Sequence, residues 1–151
     1  MLSWCSPKTV DLYRYWDARR GLRSMPRRAD IDPVDMRAWL SRITLIEVAN
    51  GGERMRYRVV GTEVVGLRGF DPTGWSVESA FPREDADRVL GAYRDVISQK
   101  KPVFCHPAER TQVKRDPVVG VMLLPLSSDG ETVDQVLGYL GDDVGAFDPM
   151  I

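Results

Sequence analysis

Histidine and cysteine are scarce in this sequence, and their scarcity excludes several classes of site. Among 151 residues there are one histidine, His106, and two cysteines, Cys5 and Cys105. Two cysteines are too few for a disulfide framework, and no Cys-x-x-Cys pair or His/Cys cluster has the spacing of zinc ligands. A single histidine argues against a His-based triad and a multi-histidine metal site. We therefore predict two reduced thiols, no metal site and no catalytic residues.

Long hydrophobic runs are also missing. The longest covers residues 118–126, is interrupted by Gly120 and Pro125, and has about half the length that a membrane span requires. Residues 1–7 lack the basic leader and the apolar segment of a secretion signal. No Gly-x-x-x-x-Gly-Lys-Ser/Thr loop is present to cradle a phosphate. We expect a cytoplasmic protein with no membrane contact and no nucleotide site.

No charge of one sign dominates the chain. The formal net charge is −1, which gives no overall attraction to nucleic acid. Arginines do crowd the N-terminal segment, but a solvated face is the simpler account of them, and we expect no nucleic-acid partner. Salt-dependent binding to unrelated sequences would identify that alternative. The arginines are Arg14, Arg19, Arg20, Arg23, Arg27 and Arg28.

Hydrophobic periodicity predicts one domain that combines helices and strands. Asn50, Gly51 and Gly52 separate the first two strand-like runs and favour an antiparallel hairpin, because these residues tolerate positive φ. The run 118–124 is apolar on both faces, which predicts a strand whose sheet is covered on both sides. Helices are predicted at residues 7–20, 33–40, 62–67 and 84–99, and strands at 42–48, 55–60, 103–108, 116–126 and 135–140.

The N-terminal helix has clear start and stop signals and a broad apolar surface. Ser6 and Pro7 form a favourable N-cap and first-turn pair, and Gly21 supplies the stop. Such a surface must cover either its own sheet or a second copy of the chain. We predict a homodimer to which this helix contributes. The apolar residues are Val10, Leu12, Tyr13, Tyr15 and Trp16, and the contact is predicted at Val10, Tyr13 and Trp16.

Three short segments carry a family resemblance. They are Arg-Ala-Asp-Ile-Asp-Pro at 28–33, Tyr-Arg-Val-Val-Gly-Thr-Glu at 57–63 and Asp-Pro-Thr-Gly at 71–74. In this order, the segments resemble the single-domain PAS proteins common in alphaproteobacteria, over residues 10–140. The resemblance implies an α+β fold, with a PAS-like five-stranded antiparallel sheet, helices on one face and an N-terminal capping helix. The expected divisions are an N-terminal helix at 1–22, a PAS-like domain at 23–141 and a C-terminal tail at 142–151.

The resemblance also implies a sensory or signal-relay function. With no kinase, cyclase, receiver or DNA-binding region, the output would pass through self-association or a separate signalling protein. Haem-binding PAS domains typically take an axial histidine from the long helix, and 84–99 has none. Light-sensing relatives present an Asn-Cys-Arg-Phe-Leu-Gln type of helix to a flavin, which this chain lacks. No cofactor is therefore assigned. A small-molecule ligand remains possible, but the sequence does not identify it.

PAS domains keep their ligand cavity between the sheet and the long helix, and the same place is expected here. Aromatic and methionine side chains also fill ordinary cores, so a plain core is the alternative. A second alternative is a small α+β cone enzyme of the ketosteroid isomerase kind, which needs a buried acid or base. Glu47 is the only carboxylate in the middle of a strand run, and we expect it at a strand end. The predicted ligand-binding residues are Tyr57, Tyr93, Phe104, Met122 and Tyr139.

Overall fold

The computed structural model describes residues 5–105 and 120–141. Within these ranges the helices are α1 (Pro7–Arg20), α2 (Thr62–Arg68) and α3 (Arg83–Gln99), and the strands are β1 (Ile43–Ala49), β2 (Arg54–Val60), β3 (Val103–Cys105), β4 (Val121–Leu126) and β5 (Gln135–Leu140). The strands form one antiparallel sheet in the order β2-β1-β5-β4-β3. This arrangement confirms the predicted five-stranded α+β fold.

The hairpin between β1 and β2 closes as the sequence predicts. Asn50, Gly51 and Gly52 have φ values of 53°, 67° and 106°. A left-handed backbone is strained for most residues but is accessible to glycine and, to a lesser degree, asparagine. This turn fixes the pairing in which Val48 lies opposite Met55.

Helix α1 covers one face of the sheet, which we call the α1 face. The Ser6 hydroxyl accepts a hydrogen bond from the Thr9 backbone N–H at 3.3 Å, and Gly21 follows the last turn with a φ of 60°. Leu12 and Trp16 are buried, and the Trp16 indole Nε1–H donates to the Pro125 carbonyl at 2.9 Å. This hydrogen bond ties the helix directly to β4.

Helix α3 covers the opposite face, which we call the α3 face. Its buried residues recur at the spacing of one helical side, and they lie against the hydrophobic core. The helix ends where Lys100 adopts a left-handed conformation with φ of 57°. Coverage from both sides explains why β4 is apolar on both faces. The buried apolar residues of α3 are Ala86, Leu90, Tyr93 and Val96.

The predicted helix at 33–40 is wrong. The segment is a series of turns, followed by a short 3₁₀ helix at Leu40–Arg42. The Asp32 carboxylate accepts the Val34 N–H at 2.8 Å, as a cap would, but most of the following residues are exposed. A short helix needs a buried apolar face to be stable, and here Met36 alone is fully buried.

Several sequence predictions fall partly outside the described residues. The strands predicted at 103–108 and 116–126 are described at Val103–Cys105 and Val121–Leu126. His106 and the tail at 142–151 lie outside the described ranges.

Candidate functional site

A cavity of about 720 Å³ lies between α3, α2 and the α3 face of the sheet. Its volume is within the range of about 300–1,000 Å³ that is usual for small-molecule sites. Most of the wall is apolar, so the cavity suits a largely apolar organic molecule. Representative wall residues are Val64 and Leu67 from α2, Val89 and Ala92 from α3, and Val103 and Leu123 from the sheet.

The pairing register determines which sheet residues reach this cavity. Val103, Leu123, Gly138 and Thr44 are successive cross-strand partners on β3, β4, β5 and β1. Gly138 lies beside Thr44, and a Cβ added to Gly138 would lie 2.4 Å from the Thr44 hydroxyl oxygen. The missing side chain at Gly138 therefore leaves room for the Thr44 side chain at the cavity.

Arg68, the last residue of α2, brings a positive charge to the cavity wall. Its guanidinium carbon lies 4.0 Å from the centroid of the Phe81 ring and 4.9 Å from that of the Phe70 ring. The Nη1–H donates to the Tyr57 hydroxyl at 3.5 Å, and Nη2–H donates to the Ala80 carbonyl. Cation–π contacts and hydrogen bonds thus hold this guanidinium in place.

Two tyrosines extend this polar group along the cavity. Burial raises the pKa of Tyr57, and Arg68 partly opposes that shift. Burial also raises the pKa of Tyr93 well above its ordinary value, against the effect of a hydrogen bond with Thr44. Both phenols are therefore neutral near pH 7, and their hydroxyls are hydrogen-bonding groups. We call Arg68, Tyr57, Tyr93 and Thr44 the polar cluster.

Two carboxylates also line the cavity. Asp85 lies in the first turn of α3 and is buried, and its Oδ1 is 3.3 Å from Nη2 of Arg88. Asp95 lies farther along α3 and is exposed. Arg68, Thr44 and Asp85 were not among the residues predicted for the cavity. No sequence pattern identifies these three residues, because α2, β1 and α3 come together only in the folded chain.

Three of the five predicted ligand residues line this cavity, and two do not. Tyr57, Tyr93 and Phe104 are wall residues. Met122 on β4 pairs with Tyr139 on β5, which in turn pairs with Ile43 on β1. Because successive side chains of a strand point to opposite faces, Met122 and its partners lie on the face of the sheet that does not carry Leu123. The placement of Met122 and Tyr139 beside α3 is therefore corrected to the α1 face, where both are buried.

Phe104 lies on the edge strand β3, and its pairing with Met122 puts its side chain on the α1 face. There its ring centroid is 5.8 Å from that of Tyr13 on α1. The residue also borders the cavity. At Phe104, strand β3 therefore has the cavity on one face and α1 on the other.

The residues predicted for a dimer contact differ in exposure. Trp16 is 2% exposed and is fully used in packing α1 on its own sheet. Val10 and Tyr13 are half-buried and retain accessible surface. Of the three residues, Val10 and Tyr13 are thus accessible for the predicted contact with a second chain, and Trp16 is not.

Several arginines of the basic segment are engaged in ion pairs within the chain. Such pairing lowers the positive potential available to phosphates. Their arrangement fits a solvated face. The pairs are Arg19–Asp35 at 2.9 Å, Arg20–Asp17 at 2.7 Å, Arg23–Asp30 at 2.8 Å and Arg27–Asp30 at 3.4 Å.

Other candidate sites find little support in residues 5–105 and 120–141. There, no group of three or more His, Cys, Asp and Glu residues is arranged to hold a metal ion. No helix in those ranges has both the length and the hydrophobicity needed to cross a membrane. Glu47 is exposed on β1, with its Oε1 3.6 Å from Nε of Arg58, so it is not a buried base facing the cavity.

Comparison with known structures supports the fold. The chain is similar to a sensory box sensor histidine kinase from Vibrio cholerae, with 18% identity, a TM-score of 0.52 and coverage of 72% of this chain and 86% of that one. It is also similar to the PAS domain of the histidine kinase ThkA, with 16% identity, a TM-score of 0.49 and coverage of 67% and 99%. At 18% identity, the similarity to the Vibrio cholerae protein concerns the fold alone.

Sequence comparison gives the family. No curated protein matches the chain. The family model described as PAS domain matches residues 5–141, which include the sheet, the cavity and all three helices. This chain therefore belongs to the PAS domain family.

Proposed function

We propose that this chain is a sensory or signal-relay domain in which a small molecule occupies the cavity and changes how the domain associates with other proteins. The observation that carries the proposal is the cavity of about 720 Å³, whose largely apolar wall includes the polar cluster. Ligand sites commonly combine an apolar lining with a few convergent polar groups that fix the ligand's orientation. The histidine kinases with similar folds favour a sensory function as an analogy.

Signal output would use the contact between Phe104 and Tyr13. A ligand that displaces strand β3 from the cavity side shifts the population of arrangements at this edge, and the Phe104 ring on the other face of the strand contacts α1. The accessible part of α1 is then the surface that a second copy of the chain, or a separate signalling protein, would contact.

A catalytic function has weaker support. The isomerase-like alternative rests on Glu47, and that carboxylate is exposed and close to Arg58. Asp85 is the buried carboxylate at the cavity, and it is paired with Arg88. A carboxylate that pairs with Arg88 in the first turn of a helix is accounted for by a structural role. We propose that the domain binds its ligand without converting it.

Filling the cavity should abolish small-molecule binding. Ala92 lines the cavity from α3, and the Ala92→Trp variant would place a large ring inside it. We expect compounds that raise the melting temperature of the wild-type protein in a small-molecule screen to lose that effect in this variant. Ala38→Trp is the matched control, because Ala38 is exposed and is not part of the cavity wall. Hits that stabilise Ala92→Trp as much as wild type would contradict the proposed site.

A charge on the accessible part of α1 should prevent self-association. Val10 is half-buried, and Val10→Glu would put a carboxylate into an apolar contact, which is costly without a partner. We expect a dimer for the wild-type chain and a monomer for Val10→Glu by light scattering at micromolar concentrations. Arg14→Glu, at an exposed position of the same helix, should stay dimeric. A monomeric wild type would exclude self-association through α1.

A further inference from the structure

We propose that the ligand of this cavity is an organic anion, with an apolar body and a carboxylate group that pairs with Arg68. The proposal rests on the proposed ligand-binding function and adds the chemical class of the ligand. It follows from how Arg68 is held and from which charges around the cavity are already compensated.

The partners of Arg68 are all neutral. They are the Ala80 carbonyl, the Tyr57 hydroxyl and the faces of Phe70 and Phe81. Other arginines in the described part of the chain do pair with carboxylates, for example Arg42 with Glu63 and Arg88 with Asp85. No carboxylate of the described residues lies within ion-pair distance of Arg68.

The Arg68 guanidinium is preorganised to bind a carboxylate. Arg68 is half-buried, so it has lost part of its hydration, and an anion would compensate for that loss. A guanidinium has five N–H donors, and the two hydrogen bonds to Tyr57 and Ala80 leave others available. Because the two rings restrict the guanidinium plane, less entropy is lost when a carboxylate binds.

The remaining charges of the cavity do not oppose this assignment. The Asp85 carboxylate, which would favour a cation, already has Arg88 at 3.3 Å and lies in the positively polarised first turn of α3. Asp95 is exposed, where solvent screens its charge. Among the described charged groups at the wall, Arg68 is thus the one that is half-buried without an opposite charge nearby.

The rest of the cavity fits the two parts of such a ligand. The Tyr57 hydroxyl is adjacent to Arg68 and is neutral near pH 7, so it can donate to a carboxylate oxygen. Val64, Leu67, Val89 and Leu123 supply apolar wall for the body of the molecule. A carboxylate alone would leave most of this wall in contact with water.

The test compares three probes that share a ten-carbon chain and differ in charge: decanoate, decanamide and decylamine. Isothermal titration calorimetry with the wild-type chain, below micelle-forming concentrations, gives the three affinities. We expect decanoate to bind at least about tenfold more tightly than decanamide, as a charge-assisted hydrogen-bonded pair would allow. Decylamine should bind more weakly than both.

Substitution of Arg68 shows whether this residue causes the preference. Arg68→Gln should reduce the preference for decanoate over decanamide to about twofold or less, while Arg68→Lys, which keeps the charge but loses the planar fork, should retain part of it. Arg94→Gln, at an exposed position of α3 away from the cavity wall, should bind like wild type. The wild-type comparison still decides if Arg68→Gln does not fold.

Each contrary outcome has a distinct meaning. Equal binding of decanoate and decanamide to wild type, or tighter binding of decylamine, would overturn the anion assignment and leave the cavity as a ligand site. A decanoate preference that persists in Arg68→Gln would overturn the role of Arg68. Failure of all three probes to bind would also overturn the inference, whereas the proposed function depends separately on the Ala92→Trp screen.

Discussion

Replacement of Trp16 by alanine is expected to destabilise the protein by about 3–5 kcal/mol, the usual range for a buried Trp→Ala change. The Trp16 side chain is 2% exposed, and its indole N–H donates to the Pro125 carbonyl at 2.9 Å. The variant would lose the packing of α1 on the sheet and would leave that carbonyl without its partner. Urea denaturation followed by circular dichroism measures the change in the free energy of unfolding.

Trp75 supplies the matched control for Trp16. Its side chain is 45% exposed, although it stacks on Phe70 with ring centroids 5.3 Å apart. The same Trp→Ala change at this exposed position should cost about 1 kcal/mol or less. Similar losses for the two variants would mean that α1 is not anchored to the sheet by Trp16, and the proposed route from cavity to α1 would lose its basis.

Replacement of Tyr93 by alanine is expected to cost about 3 kcal/mol, toward the lower end for a large buried ring because one side of the ring already borders the cavity. Tyr93 is 6% exposed at the centre of the buried side of α3. Tyr93→Phe keeps the ring and loses only the buried hydroxyl, which interacts with Thr44, so it should cost about 1 kcal/mol. Urea denaturation of both variants checks the difference.

Asp95 provides the comparison on the exposed side of α3. Asp95→Ala should change the free energy of unfolding by about 0.5 kcal/mol or less. Equal and small effects of Tyr93→Ala and Asp95→Ala in the same denaturation series would contradict the orientation of α3 over the sheet.

The sequence predicts most of the fold because local signals and tertiary structure agree. Ser6, Pro7 and Gly21 mark both ends of α1, and the described helix has the predicted bounds Pro7–Arg20. Strand β5 also has its predicted bounds, Gln135–Leu140. The helix predicted at 33–40 failed because a cap at Asp32 cannot stabilise a helix that has little apolar surface to bury.

The candidate site is harder to predict for two physical reasons. Strand β4 is apolar on both faces, so its sequence gives no alternation from which to assign Met122 to the α1 face and Leu123 to the cavity. Arg68 lies at the end of a short helix, and its role arises only where the chain brings Phe70, Phe81 and Tyr57 around its guanidinium. Neither arrangement leaves a periodic signal in the sequence.

The central claim is that a small molecule occupies the cavity between α3 and the sheet. Native mass spectrometry of the natively purified wild-type chain tests it most directly, with Ala92→Trp as the comparison. We expect wild type to carry a bound small molecule, which denaturation releases, and Ala92→Trp to carry none. A wild-type protein with only its polypeptide mass, or the same bound molecule in both proteins, would contradict the claim.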